Sequence, residues 1–114
     1  MLKNQKTYNI KAVTVEDLLA DNAIEVILNL TTPQSHYEVT KKTLLAGKHS
    51  YCEKPMATKF EEGQELLNLA REKKLYLGNA PDTFLGAGVQ KSRQLIESGV
   101  VGEIKLGNVT FAFP

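Results

Sequence analysis

The chain has 114 residues, enough for one domain with one modest core. Its 42% hydrophobic and 24% charged content is ordinary for a globular protein, and a formal net charge of +1 makes no case for a nucleic-acid or anionic-membrane partner. No apolar run is long enough to cross a bilayer, the N-terminus lacks the apolar stretch of a signal peptide, and one cysteine makes neither an internal disulfide nor a metal cluster, so a reducing cytoplasm is the expected location.

In chain order, "IKAVT" reads as a short strand, and Thr14 is placed to cap a helix through "VEDLLAD". "AIEVILNL" (Ala23 to Leu30) is aliphatic on both faces and reads as a buried strand ending at Thr31-Thr32-Pro33. Ser35 and Glu38 form a capping-box pattern, and Gly47 is a fitting stop, so a helix of about three turns is expected between them. "HSYC" (His49 to Cys52) is the next strand, and Thr58 with Glu61 repeats the capping-box spacing. The helix after it carries an apolar stripe of Phe60, Leu66, Leu67, Leu69 and Ala70. "LYLG" (Leu75 to Gly78) is a third strand, followed by the turn residues "NAPDT". A further helix is expected from near Leu85 to Ser98 with Gly99 as its stop, and then a strand from Glu103 to Phe113.

Strands and helices therefore alternate, with strand starts near residues 23, 49 and 75. That spacing suits right-handed βαβ crossovers, a parallel sheet and an α/β fold. In such sheets ligands bind at the carboxyl ends of the strands. Thr32-Pro33, Glu53-Lys54-Pro55 and the segment from Asn79 to Thr83 each follow a strand, which places all three along one sheet edge. The phosphate-binding G-x-G-x-x-G is missing; the "GAG" at Gly86 to Gly88 lacks the third glycine and reads as a flexible helix start.

The run "VEDLLADNAIEVILNLTTPQSHYEVTKKTLLAGKHSYCEKPMA", the helix after it, and "LIESGVVGEI" together resemble the Gfo/Idh/MocA family, the glucose-fructose oxidoreductase and inositol dehydrogenase group of nicotinamide-dependent enzymes. An E-K-P triplet alone is a weak signal. Preceded by A-G-K-H, with T-P-x-x-H one helix upstream, it is a strong one. The resemblance implies a partial Rossmann-like parallel sheet with flanking helices that lacks the first βαβ unit. It assigns residues 1–102 to a partial NAD(P)-binding domain and 103–114 to the start of a C-terminal α/β sheet domain, so the chain reads as a piece of a larger protein.

The same resemblance implies NAD or NADP as cofactor, a small-molecule sugar, cyclitol or related polyol as substrate, and a homo-oligomer. Lys54 becomes the catalytic lysine beside the nicotinamide: a hydride leaves a carbinol carbon only if the hydroxyl proton is taken, and an ammonium stabilises developing oxyanion charge. Pro55 fixes the turn and removes a donor, and the family implies a cis Lys54–Pro55 bond. Glu53 is placed in the cofactor groove, though it reads equally as a surface charge. Thr32, Pro33 and His36 are placed under the dinucleotide, with His36 in a hydrogen-bonding role; Pro33 is also ordinary helix-start grammar. His49 reads as structural, and Cys52 as a buried small hydrophobe. "GNAPDT" departs from the family's common G-x-N-x-R. Asp82 and Thr83 there either hydrogen-bond substrate hydroxyls or form a turn that caps the next helix.

Three functional classes follow. The first is an NAD(P)-dependent oxidoreductase, and the second a ligand-sensing or regulatory member of the family without catalysis. The third is an inactive fragment that self-associates through unpaired strand edges and binds dinucleotide weakly.

Overall fold

The computed structural model describes residues 10–110 together with Tyr8 and Ala112. They fall into two units, residues 1–81 and 82–114, taken here in turn.

In the first unit helix α1 spans Val15–Ala20, with Thr14 as N-cap: its Oγ1 accepts the Asp17 N–H at 3.1 Å. Residues 10–14 form no strand. Strand β1 spans Val26–Asn29, helix α2 Pro33–Leu45, strand β2 His49–Cys52, helix α3 Phe60–Glu72 and strand β3 Leu77–Asn79. The three strands are parallel in the order β1-β2-β3. This is the α/β, Rossmann-like arrangement that the alternation of elements predicts.

Helix α2 starts two residues before the expected capping box. Pro33 sits in its first turn, where a missing N–H costs nothing, and it holds Thr32 in an extended conformation (φ −82°, ψ 156°). Ser35 is thereby already inside the helix, its N–H on the Thr32 carbonyl. At the other end Gly47 has φ +76°; its N–H reaches the Leu44 carbonyl, and the Lys48 N–H that of Thr43. That pair of bonds is a Schellman stop, which favours glycine at the left-handed position. Helix α3 likewise starts at Phe60 with Lys59 as N-cap and no side-chain cap, so the Thr58–Glu61 box does not form either.

Helices α2 and α3 pack on one another, and their core joins Leu44, Leu66 and Ala70 with Tyr37, Met56, Leu69, Leu75 and Leu77. On the sheet face toward them Ile27, Asn29, Ser50 and Cys52 are buried. The opposite face is open, with Val26 and Leu28 exposed at 53% and 64%. The expectation that β1 is buried on both faces is thus corrected: among the described residues helices cover one face. On the open face the Tyr51 ring lies against Gly78, its register partner; a Cβ at Gly78 would meet Tyr51 Cδ2 at 2.6 Å. The stripe on α3 is also narrower than expected. Leu66 and Ala70 are buried, whereas Phe60 is 80% exposed.

The second unit contains a 3₁₀ turn at Thr83–Leu85 and helix α4 at Ala87–Glu97. Gly99, at φ +75°, follows its C-cap Ser98. Over residues 103–110 the strand expected from Glu103 to Phe113 does not form: among the described residues this stretch has no ladder partner, and a lone strand without one is not stable. Residues 111, 113 and 114 lie outside those described.

Candidate functional site: the carboxyl edge of the sheet

The last residues of the three strands, Asn29, Cys52 and Asn79, are register partners, so the three strand ends line up at one edge. From β1 the chain turns through Thr31 and Thr32 into α2; from β2 it turns through Glu53, Lys54 and Pro55.

The Glu53-Lys54-Pro55 turn is held mostly through its backbone. The Glu53 N–H donates to the Asn29 carbonyl at 2.9 Å. Asn79 Nδ2 donates to the carbonyls of Cys52 and Glu53 at 2.9 and 3.1 Å. The Lys54 N–H is taken by the Glu53 carboxylate at 2.8 Å. The Lys54–Pro55 bond is cis, as the resemblance implies, and so is Ala80–Pro81. The Lys54 side chain is exposed.

His36 is 1% exposed in the first turns of α2, with a backbone carbonyl at each ring nitrogen. Nδ1 lies 2.5 Å from Pro55 O and Nε2 lies 3.0 Å from Thr31 O. The ring therefore joins the turn after β1 to the turn after β2. Beneath it, Asn29 Nδ2 donates to the His36 carbonyl and to Thr40 Oγ1, while Asn29 Oδ1 accepts from the Thr31 N–H and hydroxyl. Asn29, Thr40 and Thr43 are all at most 1% exposed. A buried amide is tolerable only with its bonds made, and these are made.

Cys52, at the strand end, is fully buried. Loss of solvent pushes its thiol up from the ordinary range, partly offset by the Thr40 hydroxyl. A thiol so placed is a poor nucleophile. His49 serves structure: its Nδ1 accepts the Tyr76 N–H at 3.0 Å, and the two rings pack at 5.1 Å.

Sequence reading singled out Thr32, Pro33, His36, Glu53, Lys54 and Pro55, and the fold gathers them at this edge. Thr32 and Pro33 are exposed, and Thr32 makes no cap bond of its own, which leaves its hydroxyl and the positive end of α2 open to an anionic group. That is the respect in which the edge fits a dinucleotide. Asp82 and Thr83 belong to the second unit, on the 3₁₀ turn, where Asp82 makes no side-chain cap bond. Sequence reading overlooked Asn29 and Thr40. Their one signal was a polar residue ending an aliphatic run, "VILN". Among the described residues no cluster of metal-binding side chains occurs. Open grooves lie elsewhere, one of about 230 Å³ between Met56 and Leu67 and one of about 600 Å³ between Lys11 and Asp17. Among the described residues no helix is long and apolar enough to cross a membrane.

Comparison with known proteins agrees with this geometry. Residues 2–80 match the model of the oxidoreductase family with an NAD-binding Rossmann fold. An uncharacterised oxidoreductase of Schizosaccharomyces pombe is 37% identical over 97 residues, which is 84% of this chain and 26% of that protein. The 1,5-anhydro-D-fructose reductase of Ensifer adhaerens is 36% identical over 93 residues, 81% of this chain and 28% of the reductase. The crystal structure of a Synechocystis biliverdin reductase with biliverdin and NADP+ superposes with a TM-score of 0.71 at 31% identity, over 83% of this chain and 30% of that one. The chain thus spans about a quarter of the length of the curated relatives it matches. With the family model matching residues 2–80, most of the sequence, the chain belongs to the Gfo/Idh/MocA family of NAD-binding oxidoreductases.

Proposed function

We propose that the full-length protein carrying this chain is an NAD(P)-dependent oxidoreductase acting on a sugar, cyclitol or related polyol, with Lys54 as its catalytic lysine. The observation that carries this reading is an exposed Lys54 on a pinned turn at the carboxyl edge of a parallel sheet. When bound, the nicotinamide takes or supplies the hydride. In oxidation, the carbinol C–H pair leaves as hydride while the hydroxyl proton passes to Lys54 Nζ. In reduction, the Lys54 ammonium donates to the carbonyl oxygen and passes its proton there as the hydride arrives. In reduction the ammonium also stabilises the oxyanion charge that develops on the carbonyl oxygen.

Thr32, Pro33, Glu53 and Pro55 would line the cofactor, and Asp82 and Thr83 would meet substrate hydroxyls. The sugar reductase among the relatives supports the substrate class. Location in the cytoplasm and assembly as a homo-oligomer belong to the same proposal.

The test is turnover of the full-length protein with NAD or NADP and a panel of sugars and polyols, before and after Lys54→Ala. Loss of a proton-transfer group costs about 10²–10⁴-fold in kcat. Equal turnover by wild type and variant would remove Lys54 from the mechanism.

A further inference from the structure

Lys54 lies between two carbonyl groups that are both held by side chains from other elements. Asn79, at the end of β3, donates to Glu53 O on one side. His36, in α2, meets Pro55 O on the other. We propose that His36 and Asn79 are positioning residues that clamp the turn by the carbonyls flanking Lys54, leaving the lysine side chain as its one free arm.

Several observations support the clamp. The His36 ring is buried, so it is held in place and not free to follow solvent. Carbonyl oxygens only accept, so a ring nitrogen bonds Pro55 O only where it carries an N–H. The shorter contact places that N–H on Nδ1, with Nε2 toward Thr31 O. A neutral ring serves one of the two carbonyls, and with the N–H on Nδ1 that carbonyl is Pro55 O. The His36 backbone is itself anchored, since its carbonyl accepts from buried Asn29. Pro55 has no N–H, so the turn's donors are those of Glu53 and Lys54, and both are already used, on Asn29 O and on the Glu53 carboxylate. With donors and flanking carbonyls satisfied, the turn has few ways to shift without breaking a bond. A reacting group misplaced by 1 Å loses up to roughly 10²-fold in rate, so a clamp of this kind bears directly on a lysine that must meet a substrate oxygen.

The clamp stands on hydrogen bonds alone; its effect on rate rests on the proposed role of Lys54. Nuclear magnetic resonance on the 114-residue chain tests the first part without any variant. A scalar coupling across the hydrogen bond between His36 Nδ1 and the Pro55 carbonyl carbon is expected, and its absence overturns the proposal. Variants then separate clamp from packing. Asparagine can place a donor where Nδ1 was, glutamine reaches only the Nε2 position, and leucine fills space without donating. In His36→Asn the amide shifts and order parameters of Glu53, Lys54 and Met56 should stay near wild type. In His36→Leu and His36→Gln the order parameters should fall from about 0.85 toward 0.6, while those of Leu44, Leu66 and Ala70 do not move. Asn79→Ala should loosen the same three amides.

In the full-length enzyme His36→Leu should lower kcat 10- to 100-fold, with KM within about threefold of wild type. Rescue by leucine in place of asparagine would show that His36 only packs. If the coupling is present and Lys54→Ala is fully active, the clamp holds and the assigned role of Lys54 fails. If Lys54→Ala is inactive and the coupling is absent, the reverse follows.

Discussion

Asn29 and Ser50 occupy the same covered face of neighbouring strands, and they should respond to mutation in opposite ways. Asn29 makes four hydrogen bonds while 1% exposed. Ser50 is 3% exposed, and its hydroxyl has no partner among the described residues. Leucine has the same branched heavy-atom skeleton as asparagine, so the change at Asn29 removes bonds without opening a cavity. Thr31 is exposed and can turn to water. The His36 carbonyl and the Thr40 hydroxyl are buried, and each loses a donor at a cost of about 1–3 kcal/mol. The apolar side chain returns about 1–2 kcal/mol through burial. A net loss of about 2 kcal/mol remains, a large share of the 5–15 kcal/mol typical of a whole domain. Ser50→Ala instead removes a buried group whose desolvation nothing offsets, and it should be neutral or stabilising by up to about 1 kcal/mol.

Urea unfolding followed by circular dichroism reads both variants. With a slope of about 2 kcal/mol/M, the Asn29→Leu midpoint should fall by about 1 M. An Asn29→Leu midpoint at or above wild type would refute the argument that this amide is needed where it lies. A fall in Ser50→Ala as large as that in Asn29→Leu would refute the claim that satisfaction, and not polarity, decides.

Other positions give further checks. Gly78→Ala pushes a methyl into the Tyr51 ring and should cost about 1–3 kcal/mol in urea unfolding; wild-type stability would mean that the ring swings aside freely. Cys52 is the sole cysteine, buried and with its thiol pushed up, so a thiol reagent should label it only along the unfolding transition. Labelling of the native chain at the rate of a free thiol would contradict its placement. Glu65 is held below the usual carboxylate range by Lys41 and the Tyr37 hydroxyl. Its contribution is therefore fully present above the unfolded value of about 4.3 and lost as pH falls through the lower folded one. Lys41 is shifted upward, chiefly by Glu65, so its share is present below about 10.4 and lost as pH rises through the higher folded value. Glu65→Gln should flatten the acid limb of stability against pH, and strong salt should weaken the wild-type effect; an unchanged acid limb would remove the pair from the account.

The order of elements was legible because it is local. β-branched runs, Gly47 and the charge pattern on α3 each signal their own segment. Helix starts were less legible. Ser35–Glu38 and Thr58–Glu61 both have capping-box spacing, yet α2 starts from the Pro33 that precedes the first box and α3 starts at Phe60 inside the second. Spacing supplies candidates for a cap, and the chain direction imposed by the preceding strand chooses among them. The covering of β1 was misjudged for a related reason. An aliphatic strand reads alike whether one face or both meet helices, and Leu28 at 64% exposure differs from Ile27 at 5% only through what packs above each.

The site divides along the same line. Residues expected to do chemistry, such as Lys54, stand on turns whose composition announces them. The residues that hold those turns do not. The bond from Asn79 to Glu53 spans 26 positions, and the contact from His36 to Pro55 spans 19. Neither is visible until the parallel register sets Asn29, Cys52 and Asn79 side by side. A strand ending in a polar residue costs burial energy unless that residue finds a partner. Two of three strands here end in asparagine: the Asn29 amide holds the start of α2 at the His36 carbonyl and Thr40, and the Asn79 amide holds the lysine turn at the carbonyls of Cys52 and Glu53. A polar residue closing a strand therefore points, on physical grounds, to a neighbouring turn that needs support, and for Asn79 in this fold that turn is the one that carries Lys54.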